Sequence, residues 1–187
     1  MFRRSLIFMM FVSLLFSQEE KRYSFELNPI TLVASITEKN NRLSMGYNYF
    51  IPSINSMIHI PIFYGNTSGS APFNGNLISN VSDEKVFTID LAYCYFLNKK
   101  DTGMYLQGST RIAKLWGGFM DKSTTKLGIG FGIGDMGSIF GSNFYYNMSI
   151  VGTRYFTGEN GIFYNSGFAS DDNPSILEFN FSIGYRF

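Results

Sequence analysis

A chain of 187 residues has room for one domain, and a formal net charge of +1 without any basic cluster leaves a nucleic-acid backbone nothing to bind. Aromatic residues reach 18% and glycine 19 residues while charged residues stay at 16%, a mixture that suits a β protein with one wet and one apolar face better than a bundle of membrane helices. The single cysteine, Cys94, excludes an internal disulfide framework.

Met1 to Phe16 reads MFRRSLIFMMFVSLLF, two arginines ahead of an unbroken apolar run, followed by the polar Gln18-Glu19-Glu20-Lys21. The run is shorter than the ~20 residues a spanning helix needs, so residues 1–17 read as a secretory signal peptide cleaved after Ser17, and residues 18–187 as the mature domain. No cysteine follows the run, which argues against a lipoprotein anchor. No later segment has the length of a membrane helix, so any span in the mature chain is made of strands.

The mature chain alternates apolar and polar residues with period 2 in eight segments. Ser24 to Thr37 reads as the first strand, with Asn28-Pro29 marking a rim or bulge and Ile30, Leu32, Ala34 and Ile36 sharing a face beyond it. A turn at Glu38 to Asn41 leads into Arg42 to Ile51, where Leu43, Met45, Tyr47, Tyr49 and Ile51 oppose Arg42, Ser44, Gly46 and Asn48. Ser56 to Tyr64 sets Ile58, Ile60, Ile62 and Tyr64 against Met57, His59, Pro61 and Phe63, and a long polar loop, Gly65 to Asp83, follows.

Lys85 to Leu97 and Gly103 to Trp116 continue the pattern around a short charged turn, with Asp90 on the polar face of one and Arg111 on that of the other. Lys114 interrupts the apolar face near the end of its strand, which a lysine at a headgroup layer tolerates by snorkelling. Thr124 to Gly134 opposes Leu127, Ile129, Phe131 and Ile133 to Lys126 and glycines 128, 130, 132 and 134, which leave room for long Arg or Tyr side chains from across the lumen. Ser142 to Phe156 is the seventh strand, and the loop Thr157 to Pro174 precedes the eighth.

That last strand, SILEFNFSIGYRF from Ser175 to Phe187, carries Leu177, Phe179, Phe181, Ile183, Tyr185 and Phe187 on one face. Glu178, Asn180, Ser182, Gly184 and Arg186 form the other. With Phe181, Ile183, Gly184, Tyr185 and a terminal Phe187, it resembles the closing strand of bacterial outer-membrane β-barrels of the OmpX-like and OmpW-like class. The resemblance implies an all-β, eight-stranded antiparallel up-and-down transmembrane barrel in the outer membrane, surrounded by lipid, monomeric, with these last residues read by the barrel-assembly machinery. Asn28-Pro29-Ile30-Thr31-Leu32 and Gly46-Tyr47-Asn48-Tyr49 also resemble the first hairpin of a group of outer-membrane barrels without assigned activity. Short connections after strands two and four and long ones after three and seven put both termini at the periplasmic end, with Glu38 to Asn41 unusually short for an outer loop. Outward aromatics then gather at that end of alternate strands: Tyr47 and Tyr49, Tyr93 and Tyr95, Tyr185 and Phe187, the arrangement of an interfacial belt.

The inward positions collect Arg42, His59, Asp90, Arg111, Lys126, Glu178 and Arg186, with Glu26 beside them. An eight-stranded interior is just wide enough to be filled by side chains, and buried charges of both signs pair. The expectation is therefore a plugged lumen in which Asp90 and Glu178 pair with Arg111 and Lys126. Catalysis is not expected: the one histidine, His59, sits mid-strand, and no nucleophile motif accompanies Ser44 or Ser109. Asp171-Asp172 with Glu159 matches no calcium loop, and no zinc, nucleotide or phosphate-loop spacing occurs, so no metal or cofactor is expected. The loops Gly65 to Asp83 and Thr157 to Pro174 are the surfaces left for an extracellular partner. Two other readings stay open: a small pore for ions or hydrophobic solutes, and a soluble periplasmic ligand-binding barrel with its aromatic faces inside.

Overall fold

The computed structural model describes residues 21–37, 42–66, 84–98, 101–117, 123–141, 143–156 and 175–187. They form a closed barrel in which every strand pairs antiparallel with its sequence neighbours and the first closes on the last. The strands are β1 (Tyr23–Leu27), β2 (Leu43–Ile51), β3 (Ser56–Asn66), β4 (Glu84–Phe96), β5 (Gly103–Gly117), β6 (Thr124–Ser138), β7 (Phe144–Tyr155) and β8 (Ser175–Arg186). The period-2 alternation thus produces the all-β up-and-down architecture expected of it, with β6 running past Gly134 to Ser138. The signal peptide expected at 1–17, the turn expected at 38–41, residues 67–83 and 157–174 of the expected long loops, and with them Glu159, Asp171 and Asp172, lie outside the described residues.

The first strand is a correction. β1 stops at Leu27, and Pro29–Thr37 is a helix, α1, in place of the strand expected to run to Thr37. Asn28 nucleates it: its side-chain oxygen accepts the Thr31 N–H at 3.1 Å, and its carbonyl accepts the Leu32 N–H at 3.2 Å. Pro29 occupies the first helical position, where its missing N–H is not needed and its φ is already helical. Ile30, Leu32 and Ile36 keep a period-2 look in the sequence, yet a capping residue followed by proline outweighs it. Asn28 to Leu32 therefore belongs to the cap and first turn of a helix and not to a hairpin strand, whereas Gly46 to Tyr49 does lie in β2. The change also removes the unusually short outer loop. Connections at one end of the barrel now span 28–42, 67–83, 118–123 and 156–174, against 52–55, 97–102 and 139–143 at the end that holds both terminal segments.

The apolar faces point outward. Leu91 is 58% exposed, Phe131 71% and Ile133 51%, and Leu106, Ile112, Ile129, Ile150, Leu177 and Phe179 join them in one band around the wall. At the turn end Tyr23 packs its ring near Tyr49 (5.2 Å between centroids), Tyr47 (6.2 Å) and Phe187 (6.4 Å), and Phe144 meets Tyr185 edge-on at 5.0 Å. At the loop end Tyr64 lies 6.2 Å from Trp116. The interior is the reverse: Ser24, Glu26, Asn48, His59, Asp90, Gln107, Arg111, Lys126, Asn147 and Thr153 are all buried there. Toward the turn end it changes character, with Phe50, Met57, Cys94, Phe96, Tyr105, Met136 and Tyr145 packed into one buried cluster.

Candidate functional site

Three long side chains organise the interior, and two of them, both tyrosines, cross a glycine on the neighbouring strand to bond with the strand beyond. Tyr145 on β7 lies over Gly184 of β8, and its hydroxyl reaches Ser24 (2.6 Å) and Glu26 (2.9 Å) on β1. Tyr105 on β5 lies over Gly134 of β6 and donates to Asn147 Oδ1 of β7 at 2.7 Å. A Cβ on either glycine would overlap the tyrosine ring. Arg111 on β5 has Gly128 as its ladder partner on β6 and extends to Tyr155 on β7 and Glu178 on β8. Of the four glycines of β6 expected to make room for long side chains from across the lumen, Gly134 accommodates a tyrosine, and that tyrosine comes from the adjacent strand β5; Gly184 of β8 does the same for Tyr145 of β7.

The first cluster is built around Glu26, 2% exposed. Its Oε1 accepts from Asn48 Nδ2 (2.6 Å), Tyr145 Oη (2.9 Å) and Asn147 Nδ2 (3.1 Å), and its Oε2 from Ser182 Oγ (2.6 Å). Four neutral donors from β1's neighbours and from β7 thus surround one carboxylate, which is how a buried charge without an adjacent cation is tolerated. Because Asn48 must present its amide nitrogen to Glu26, its Oδ1 faces away and accepts from His59 Nδ1 at 2.5 Å. That places the His59 proton on Nδ1 and turns the rest of the ring toward the interior cavity.

The second cluster lies nearer the loop end. Arg111 holds Asp90, its ladder neighbour on β4, in a two-pronged ion pair, Nε to Oδ1 and Nη2 to Oδ2, both 2.7 Å. Its remaining nitrogen, Nη1, stands 2.5 Å from Glu178 Oε2 and 3.5 Å from Tyr155 Oη. One guanidinium thus serves both acids. Lys126, expected as a second cation for them, is buried one inward position along β6 from Gly128, beside Ala113. Arg42 is buried at the start of β2, where its backbone N–H donates to Ser35 Oγ of α1 at 3.3 Å. At the turn end Arg186 bonds to the side chain and carbonyl of Asp101 and stacks its guanidinium 3.9 Å over the Phe50 ring.

The closing-strand residues divide between the two faces. Phe181, Ile183, Tyr185 and Phe187 belong to the outer face, with Phe187 donating its backbone N–H to Tyr23 O at 3.0 Å, whereas Gly184 points inward under Tyr145. Among the described residues no hydrogen bond joins His59 to a serine, and no group of three His, Cys, Asp or Glu side chains is placed to chelate a metal. The residues that sequence reasoning did not single out are Asn48, Tyr105, Tyr145 and Asn147. For the two tyrosines the signal was a long hydroxyl-bearing side chain at an inward position with glycine at the facing position of the next strand, whereas Asn48 faces Ser24 and His59, and Asn147 faces Met136 and Ser182. The chain matches no protein-family model, and a search of curated proteins returns no match.

Proposed function

We propose that the protein is an outer-membrane β-barrel whose lumen is closed by its own side chains and which acts as a structural or interaction protein through its outer loops, Gly65 to Asp83 and Thr157 to Pro174. The observation that carries this reading is the inversion of the barrel: an apolar exterior band between two aromatic groups, around a charged and hydrogen-bonded interior. From Phe87 to Tyr95 strand β4 rises ~27 Å along its own axis, or ~20 Å of height at the usual ~40° tilt, close to the apolar belt of a membrane barrel. A soluble barrel hides its apolar residues, and monomers rarely expose patches beyond a few hundred Å².

Closure of the lumen is supported by the cluster from Phe50 to Tyr145 at the turn end, together with Arg186, which lies over the Phe50 ring and bonds to Asp101. The partners under this reading are outer-membrane lipid, the assembly machinery that takes the last strand, and an extracellular protein or surface at the loops. Catalysis has no place in it. The test is migration on a gel before and after boiling, using protein extracted with detergent from purified outer membranes after a carbonate wash. A heat-dependent shift of pelleted protein is the expected result, and release in soluble form without a shift would overturn the assignment. Planar-bilayer recordings of the same material are expected to show no steady openings; openings abolished by Arg111→Gln would replace the closed lumen with a pore.

A further inference from the structure

The ladder that closes the barrel is short along one line. β1 pairs with β8 only from Ser24↔Arg186 to Leu27↔Ile183, so among the described residues β8 from Ser182 to Ser175 has β7 on one side and no strand on the other. In that gap stands α1, packed against both β2 and β8, with the Asn28 N–H bonded to Ser44 O at 3.1 Å. Thr31 is buried toward the interior, while Leu32, Val33 and Ile36 are exposed. Asn180 is inward by alternation with Glu178 and Ser182, yet it is exposed.

Behind the gap lies a cavity of about 100 Å³. It is lined by inward residues and also by Met45 of β2 and Phe181 of β8, the two strands against which α1 packs. Its charged lining is Glu26, Asp90 and Glu178 against the single Arg111, with the His59 ring beside them. One acceptor there is unsatisfied: Gln107, only 7% exposed, lines the cavity with an Oε1 that has no hydrogen-bond partner, while Glu178 Oε2 is held by the Arg111 ion pair at 2.5 Å. Three acids against one lining cation and the orphaned Gln107 Oε1 call for a cationic donor, and Met45 and Phe181 at the mouth call for a hydrocarbon chain attached to it.

We propose that this cavity receives the protonated amine of a single-chain amphiphile from the surrounding lipid, the head donating to Glu178 and Gln107 and the chain leaving past Met45 and Phe181 beneath α1. The site rests on the membrane reading above, since the bilayer supplies the ligand.

The test is equilibrium binding of dodecylamine, dodecanol and ethylamine to the folded barrel in phosphatidylcholine nanodiscs, corrected for empty discs. One saturable dodecylamine per barrel is expected, at least tenfold tighter than either of the other probes. Glu178→Gln is expected to weaken it at least tenfold. Asn180→Trp, which blocks the opening without touching an ion pair, is expected to abolish it and serves where Glu178→Gln fails to fold. Equal binding of dodecylamine and dodecanol would overturn the acidic head site, equal binding of ethylamine and dodecylamine would overturn the route through the wall, and absence of saturable binding would overturn both. Absence of binding by a barrel that keeps its heat shift sinks this inference alone, whereas loss of the heat shift in the unaltered protein sinks the membrane reading beneath it.

Discussion

The ring of Tyr145 lies across Gly184 on the adjacent strand, and its hydroxyl reaches over that strand to Ser24 and Glu26. Gly184 is thus as much a packing residue as part of the closing-strand pattern. Any side chain at this position would push the ring off the glycine and pull the hydroxyl from the buried Glu26 carboxylate.

Gly184→Val is therefore expected to destabilise the barrel by about 1–3 kcal/mol through overpacking alone. The measurement is the urea midpoint of the folded band on unheated gels. Tyr145→Phe in the same background should restore only part of the loss, because a Cβ at Gly184 meets the ring carbons Cζ and Cε1 as well as the hydroxyl oxygen. Full recovery by Tyr145→Ala would confirm that the ring is what the glycine accommodates, and no recovery would sink the idea.

The Asp90–Arg111–Glu178 cluster makes a different prediction, because one cation holds two acids inside the wall. Arg111→Met leaves Asp90 buried with no counter-charge, which is expected to cost about 3–5 kcal/mol. Adding Asp90→Asn to that variant should recover much of the loss. The double-variant cycle, measured by urea titration, checks this; additivity of the two changes would show that the pair is not coupled.

The two faces of each strand were legible in the sequence because side-chain alternation follows from local backbone geometry alone. Asp90, Arg111, Lys126 and Glu178 could all be placed inward on that basis. Which of them meet was not legible, because contact depends on height, and height follows from the register of each hairpin. The turn after β4 sets Asp90 opposite Arg111, while the register of β6 brings Gly128, not Lys126, alongside the arginine. The tyrosine crossings escaped for a related reason, since they join strands that are not neighbours. α1 escaped for the opposite one. Its cue was local, Asn28-Pro29, a pair that reads equally as a rim or bulge of a strand, and the apolar spacing beyond it is one that helix and strand share over so short a stretch.

Asn28 should accordingly control α1. Asn28→Ala removes the acceptor for the Thr31 N–H and is expected to cost about 1 kcal/mol, the usual loss of an N-cap. Asn28→Asp or Asn28→Ser should retain most of the stability. Hydrogen exchange of the 29–37 amides is the sharper readout. Faster exchange confined to that segment in Asn28→Ala is the expected outcome, and unchanged protection would remove Asn28 from this role.

The exterior band gives the prediction that bears most directly on what surrounds the barrel. Leu91 lies midway along β4 between the outward rings of Phe87 and Tyr95, whereas Met104 lies toward the turn end, next to the ladder partner Asp135. In a bilayer, Leu91→Lys places a charge at the middle of the hydrocarbon and should cost about 2–4 kcal/mol, while Met104→Lys near the interface should cost about 0–1 kcal/mol. The native Lys114, across from Phe87 near the loop end, sits where such a charge is tolerated. Were the same wall in water, both substitutions would fall on exposed surface and change stability by no more than about 0.5 kcal/mol. Folding titrations of the two variants in lipid vesicles therefore separate the cases: a depth-dependent penalty places the band in lipid, and two small, equal effects would take it out.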